Sequence, residues 1–404
     1  MMKDIPAQPI ARLVFFGHNR KDAAIVRRTL SFMDAGVDVT GFMFRRDGEP
    51  AEPGPAWPNV DLGMVEHCKH AQRIVTLLRA LWRTFRNRRL LRQADIVYAR
   101  NLDMLALAFV GLLFARTRKP RVVYECLDVH EAMTREGLAS RALRSLERLM
   151  LRHSDLLVVS SPGFMREYFE PVQGFHGPYA LIENKLYFHD QIVERPKPES
   201  ISAKRADQPV VVAWIGILRC QKTLDTLKAL AAAEGARVQL RFHGIISEFL
   251  IPDFMEQIAP FDNIEYVGPY EWPQGLQNAY ANVDFVWAQE LSWSGHNSDW
   301  LLPNRIYEGS YFGALSLAIA GTETGRVVEQ RQLGYTLPDR AHQSLIDFVR
   351  QVDRKEIADR KRALLSRPRS DFVTDSNEVR HLVDQLLPDR KNVIQDMEHA
   401  PEPK

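Results

Sequence analysis

Short apolar runs that alternate with helix-length segments constrain this chain of 404 residues more than any other feature. Ala11–Gly17 (ARLVFFG) ends at a glycine, continues into the polar stretch 18–22, and is followed by a helical pattern over 23–35 that Gly36 stops. Further strand patterns lie at 38–44, 95–98, 121–124 and 156–160, with helix-length segments between them. Leu102–Ala115 is nearly all apolar but contains Asp103 and is too short to cross hydrocarbon, so it reads as a buried helix. Strands buried on both faces give continuous apolar runs. A parallel sheet with helices on both faces is therefore expected.

A second alternation follows the proline-rich, charged stretch 195–208, which has no periodicity. Strands are expected at 210–215, 237–242, 264–267, 284–288 and 314–320, and helices at 223–233, 272–281, 343–350 and 377–387. The economical reading is an α/β chain of two Rossmann-like βαβ domains with a cleft between them. The expected divisions are an N-terminal domain at 1–185, a linker or surface loop at 186–209 and a C-terminal domain at 210–365. Helices at 366–388, with the option of returning to the first domain, and a polar tail at 389–404 complete it.

The net charge of +2 includes no concentrated basic excess of the kind that nucleic acid demands. Cys68, Cys126 and Cys220 are too scattered for a metal site or a disulfide framework, which fits a reducing, cytoplasmic setting. The N-terminus, with Lys3 and Asp4 followed by Pro6 and Pro9, lacks the apolar core of a signal peptide. Any membrane role would be peripheral.

In open α/β sheets ligands bind beyond the carboxyl ends of the strands, and several polar clusters fall there. In Gly216-Ile-Leu-Arg219-Cys-Gln-Lys222, a glycine permits close approach and two cations suit a diphosphate. His243-Gly244 and Val267-Gly268 close the next two strands and offer backbone to a nucleotide. Pro303-Asn304-Arg305-Ile-Tyr-Glu308 reads as a loop entering a helix. Its free N–H groups suit an anion, and Glu308, one turn beyond Asn304, suits a vicinal diol. The preceding loop carries His296, Asn297 and Asp299 between tryptophans, a composition that can cradle a sugar. Each cluster also fits a plainer role as an ordinary solvated loop or turn.

The N-terminal half offers Glu125, Asp128, His130 and Glu131 just after a strand, as general base or sugar ligands, or simply as helix caps. Gly17, His18 and Asp22 form another candidate for the cleft; they lack the G-x-G-x-x-G spacing of dinucleotide folds, which argues against a dehydrogenase. Arg83, Arg86, Arg88, Arg89 and Arg92 continue an apolar helical pattern that includes Trp82. That pattern suits an anionic membrane surface, and fits also a solvated face whose apolar side is in the core.

Together these residues resemble a family-4-like glycosyltransferase of the GT-B fold, and the likeness covers nearly the whole chain. In that group a G-x-L-R-x-x-K segment opens the C-terminal domain, matched by Gly216, Leu218, Arg219 and Lys222. A P-N-K-[LI]-x-E segment is matched by Pro303, Asn304, Arg305, Ile306 and Glu308, and a D-x-H-[ED] segment by Asp128, His130 and Glu131. The resemblance implies that Glu308 binds the donor's ribose hydroxyls and that Arg219 and Lys222 bind its diphosphate. Many retaining relatives carry a second glutamate eight positions earlier, where this chain has Trp300 beside Asp299, so inversion and retention both stay open. The segment Leu13-Val-Phe-Phe-Gly-His18 with Asp22 is also similar to exopolysaccharide glycosyltransferases of the succinoglycan type.

The implied reaction moves a hexosyl group, glucose from UDP-glucose, to a lipid-linked or oligosaccharide acceptor, with no metal and no cofactor beyond the nucleotide-sugar substrate. A nucleotide-sugar epimerase of the same layout and a non-catalytic membrane-associated scaffold are the alternatives.

Overall fold

The computed structural model describes residues 9–387 except 47, 48, 51, 66–69, 117–119, 191 and 206. Cys68, the expected tail at 389–404, and Lys3, Asp4 and Pro6 lie outside the described residues. The chain divides into two units. The first takes the described residues up to Ser160, then Tyr168–Ile182 and those from Asp375 onward; the second takes Ser161–Glu167 and Glu183–Thr374.

The first unit holds β1 (Ala11–Gly17), β2 (Val37–Arg46), β3 (Asn59–Val65), β4 (Ile96–Arg100), β5 (Arg121–Cys126), β6 (Leu156–Val159) and β7 (Tyr179–Leu181). They form one parallel sheet in the order β3-β2-β1-β4-β5-β6-β7. β1 matches the expected span, and all its residues except Arg12 are buried. Asp22 caps the helix Ala23–Asp34, its carboxylate accepting from the amides of Ala24 and Ile25 at 3.0 and 3.1 Å. The last helix among the described residues, Ser376–Leu386, belongs to this unit. Its Val379, Leu382, Val383 and Leu386 join Ile25, Phe32 and the β1 residues in one core.

The second unit holds β8 (Val210–Leu218), β9 (Val238–Ile246), β10 (Ile264–Gly268), β11 (Phe285–Trp287), β12 (Leu315–Ile319) and β13 (Gly334–Leu337). These too are all parallel, in the order β10-β9-β8-β11-β12-β13. Both orders reverse direction beside the first strand of their unit, which is the doubly wound, Rossmann-like arrangement. Two such α/β units make up the GT-B fold that the residues led us to expect.

Several local expectations need correction. β8 runs through Gly216 to Leu218, so the glycine expected in a loop sits inside a strand. The stretch 272–281 is helical only at Leu276–Ala279, because Pro273 and Gly275 oppose a longer helix. Residues 186–209, expected as a linker or surface loop, belong to the second unit. Lys204 Nζ lies 2.6 Å from Asp284, and Arg362 Nη1 donates to the Ile201 carbonyl at 2.8 Å. The helix Leu102–Ala115 is buried along one face only; Leu113 and Phe114 are exposed.

Candidate functional site

In the second unit, β8 and β11 are the neighbours at which the strand order reverses. Their carboxyl ends deliver Arg219 and Glu290 to one place, with Arg219 Nε 3.9 Å from Glu290 Oε2. Arg305, in the first turn of the helix Asn304–Tyr311, brings Nη2 to 3.8 Å from the same oxygen. Its Nη1 donates to the Trp287 carbonyl at 3.0 Å, which fixes the guanidinium at the end of β11. Burial pushes the Glu290 carboxyl up, but Arg305, then Arg219, and the hydroxyl and amide of Ser292 outweigh it and hold it below the usual range. The result is a buried carboxylate flanked by two arginines where a doubly wound sheet takes its ligand.

Glu308 lies one turn along the same helix and is buried. The Tyr280 hydroxyl, 3.4 Å away, donates to its Oε2. Tyr280 is itself buried and stacked on Phe312 at 5.7 Å between ring centroids, so the phenol is rigidly aimed. Burial and the adjacent Glu308 push the Tyr280 pKa well up, which keeps it a proton donor. Asn304 is half-buried at the start of the helix, and Lys222 is exposed in the first turn of the helix Gln221–Glu234.

Gly216 and Gly244 sit opposite each other in β8 and β9, both at positive φ. Nothing lies within 4 Å of where a Cβ of Gly216 would stand, so the backbone there is open to a ligand. His243 is buried, and its Nδ1 lies 2.6 Å from the Gly268 carbonyl oxygen. Burial lowers its pKa, so the ring is neutral at pH 7 and donates through Nδ1. His243 thus ties β9 to β10. Val267, by contrast, is exposed.

The loop before the Asn304–Tyr311 helix is pinned from below by Gln289. Its amide donates to the carbonyls of Glu290 and Ser298 at 3.1 and 3.2 Å and accepts from the Ile319 amide and the Thr322 hydroxyl at 3.1 Å. Asn297 is buried, whereas His296 is exposed with its ring edge-on to Trp300 at 5.8 Å. Asp299 faces Arg340 Nη2 at 2.6 Å and accepts from the Gly295 amide at 2.7 Å. Those partners give this carboxylate a structural task in shaping the loop.

In the first unit the order reverses between β1 and β4. There His18, just past β1, meets Asn101, just past β4, with His18 Nδ1 3.4 Å from the Asn101 amide. Burial lowers the His18 pKa against the opposing effect of Asp22. Gly17 leaves room for Ile25, whose Cδ1 would lie 3.0 Å from a Cβ. Asp22 is committed as the helix cap described above.

The acidic residues from Glu125 to Glu131 do not act as one cluster, and Glu125, expected just after the strand, lies within β5. Glu125 is fully buried between Arg28 and Arg100, accepting from Arg100 Nε at 2.7 Å and from Arg28 at 3.1 and 3.2 Å. It is a structural ion-pair centre. His130 caps the short helix Glu131–Thr134, with Nδ1 accepting from the Ala132 amide at 3.1 Å, and Glu131 pairs with Arg135 at 2.6 Å. Asp128 is exposed beside them.

Residues 28–185 match the model of the glycosyl transferase 4-like domain. Across 93% of its length the chain is 33% identical, over 377 residues, to the succinoglycan biosynthesis protein ExoL of Rhizobium meliloti (strain 1021), and it covers 93% of that protein. The chain belongs to the GT-B, family-4-like glycosyltransferases. Among solved structures, sucrose-phosphate synthase from Thermosynechococcus elongatus superposes with a TM-score of 0.68 at 15% identity, over 94% of this chain and 99% of that one. HepE of Anabaena, solved with UDP and glucose, gives 0.62 at 14% identity, over 94% and 100%. At such identities these two likenesses speak for the fold.

Sequence reasoning missed three residues of this glycosyltransferase's candidate site. Glu290 carries no motif, and its importance lies in reaching two arginines from another strand end. Tyr280 reads as an apolar helix position, and only its partner gives the hydroxyl a purpose. Arg340 is remote in sequence from the Asp299 it holds.

Proposed function

We propose that this glycosyltransferase transfers a hexosyl group, glucose from UDP-glucose, to a hydroxyl of a lipid-linked oligosaccharide in cytoplasmic exopolysaccharide synthesis. The carrying observation is the convergence of Arg219 and Arg305 on one point at the β8/β11 switch, beside the helix that bears Glu308. A donor diphosphate seated there would take over the two guanidiniums from Glu290, with Lys222 at the edge. Their fixed charge would stabilise the departing UDP as the bond from C1 to phosphate oxygen breaks, a task that other transferases give to a metal. Glu308, steadied by Tyr280, would accept from the ribose hydroxyls. The naming of ExoL for succinoglycan biosynthesis and the UDP and glucose bound by HepE support this choice of pathway and donor.

The acceptor oxygen forms the new bond to C1, and its proton must leave. In an inverting reaction Asp128 or Glu131 takes it; in a retaining one the departing phosphate does, and His130 holds the sugar. Calorimetric titration of UDP-glucose is the test. Glu308→Ala should weaken binding about tenfold or more, as expected for a lost charge-assisted hydrogen bond. Undiminished affinity would sink the role of Glu308, and absence of binding to the unaltered protein would sink the donor. Proton NMR of the product anomer then separates the two routes: a retained anomer rules out Asp128 and Glu131 as the base of a single displacement.

A further inference from the structure

The helix His70–Arg86 reverses the usual amphipathic arrangement. Among its described side chains Ala80 and Thr84 are buried, while Val75, Leu78, Trp82 and Phe85 stand exposed at helical spacing. Leu78 is 60% and Trp82 57% exposed. The stripe continues onto the helix Leu102–Ala115, where Leu113 is 74% exposed and the Phe114 ring meets Phe85 edge-on at 5.3 Å. A contiguous apolar surface drawn from two helices marks an interaction site rather than scattered surface hydrophobicity.

Charge identifies the occupant. Residues 70–93 contain seven arginines and no acidic residue. Arg83 is drawn toward Asp61 at 3.4 Å, and Arg92 Nε donates to the Ala115 carbonyl at 2.6 Å, so these two serve the fold. Others border the apolar stripe: Arg86 lies 5.4 Å from the Trp82 ring centroid, Arg88 lies 4.5 Å from that of Phe85, and Arg79 and Arg89 are exposed. A second copy of the chain would bring the same arginines against these. Anionic headgroups would neutralise them while the aromatic and aliphatic side chains enter the acyl boundary. Among the described residues no helix is long and apolar enough to cross a membrane, so contact through this face is interfacial.

We propose that the face formed by Val75, Leu78, Trp82, Phe85, Leu113 and Phe114, bordered by Arg79, Arg86, Arg88 and Arg89, docks the protein on an anionic lipid bilayer. The inference is independent of the donor and acceptor proposed above. Arginine guanidiniums would sit at phosphate level and Trp82 at the interface.

The test is co-sedimentation of the full chain with vesicles of phosphatidylcholine alone or mixed with phosphatidylglycerol. Binding is expected only to the anionic vesicles and should weaken as salt rises. The double variant Leu78→Ser/Trp82→Ser should lower partitioning on the order of tenfold or more. Arg86→Glu/Arg89→Glu should lower it on the order of a hundredfold. Circular dichroism checks folding, and the charge variant carries the test if the apolar one fails to fold. The proposal is overturned by no binding to anionic vesicles at low salt, by equal binding to both vesicle types, or by unchanged binding of the folded variants. A dimer that Leu78→Ser/Trp82→Ser dissolves would overturn it too.

Discussion

Gly216 and Gly244 face each other across β8 and β9, and a Cβ on Gly244 would overlap the carbonyl oxygen of Gly216. The two strands that lead to the arginine-lined switch point therefore approach more closely than any side chain allows. Gly244→Ala should lower stability by about 3 kcal/mol or more, through overlap and a φ of 142°. Gly216→Ala, with open space around its Cβ, should cost only the backbone strain of about 1–2 kcal/mol. Urea denaturation of both variants checks the ranking; equal losses would contradict it.

If Arg219 and Arg305 read the donor's diphosphate, they should matter to UDP and hardly to uridine. Arg219→Ala and Arg305→Ala are each expected to weaken UDP about tenfold while leaving uridine nearly unchanged. Competition titrations with both ligands measure the difference directly, and a parallel loss for uridine would move the arginines away from the phosphates.

Tyr280 reaches Glu308 with one hydroxyl in a buried setting. Tyr280→Phe keeps the stack on Phe312 and removes that bond alone. UDP-glucose affinity should fall about threefold to tenfold, in line with a net hydrogen bond of roughly 0.5–1.5 kcal/mol. Calorimetry of Tyr280→Phe beside Glu308→Ala, and of the double variant, shows whether the two act together; additive losses would mean that they do not.

Glu125 offers a pH signature. Burial raises its pKa, but Arg100 and Arg28 outweigh burial and leave it lowered in the folded protein. A carboxylate depressed on folding contributes stability above its unfolded pKa, near 4.3, and loses that contribution as pH falls through the folded value. Glu125→Gln should cost about 3–5 kcal/mol at neutral pH by leaving two buried guanidiniums uncompensated. Its deficit relative to the unaltered protein should shrink as pH falls from about 4.5. Denaturation at a series of pH values checks both; a deficit that grows on acidification would reverse the assignment.

How much was legible in the chain varied with burial. β1 matched its expected span because a fully buried strand leaves a continuous apolar run, and Leu102–Ala115 matched because its apolar run extends beyond the face it buries. β3 (NVDLGMV) escaped notice because it is an edge strand interrupted by Asp61 and Gly63. β7 is only three residues long and exposes Tyr179 and Leu181, which no periodicity announces. In the site, Arg219, Arg305 and Glu308 sit in local motifs, whereas Glu290 and Tyr280 matter through neighbours distant in sequence. Glu125 was grouped with the acids beyond it because the expected strand stopped at 124; inside β5, a charge flanked by apolar residues must be buried and therefore paired. The acids around it lie in loops and a short helix, where no such constraint applies.

The placement of the Ser376–Leu386 helix has a consequence for biosynthesis. Val379, Leu382, Val383 and Leu386 finish a core that β1 and the Ala23–Asp34 helix begin. A ribosome emits the strands of the first unit early but releases the helix that seals them only after the entire second unit has emerged. Domains translated in one uninterrupted stretch fold as they appear. Here the second unit, nearly continuous in sequence, can close while the first still waits with part of its interior uncovered, a delay during which chaperones would find their substrate.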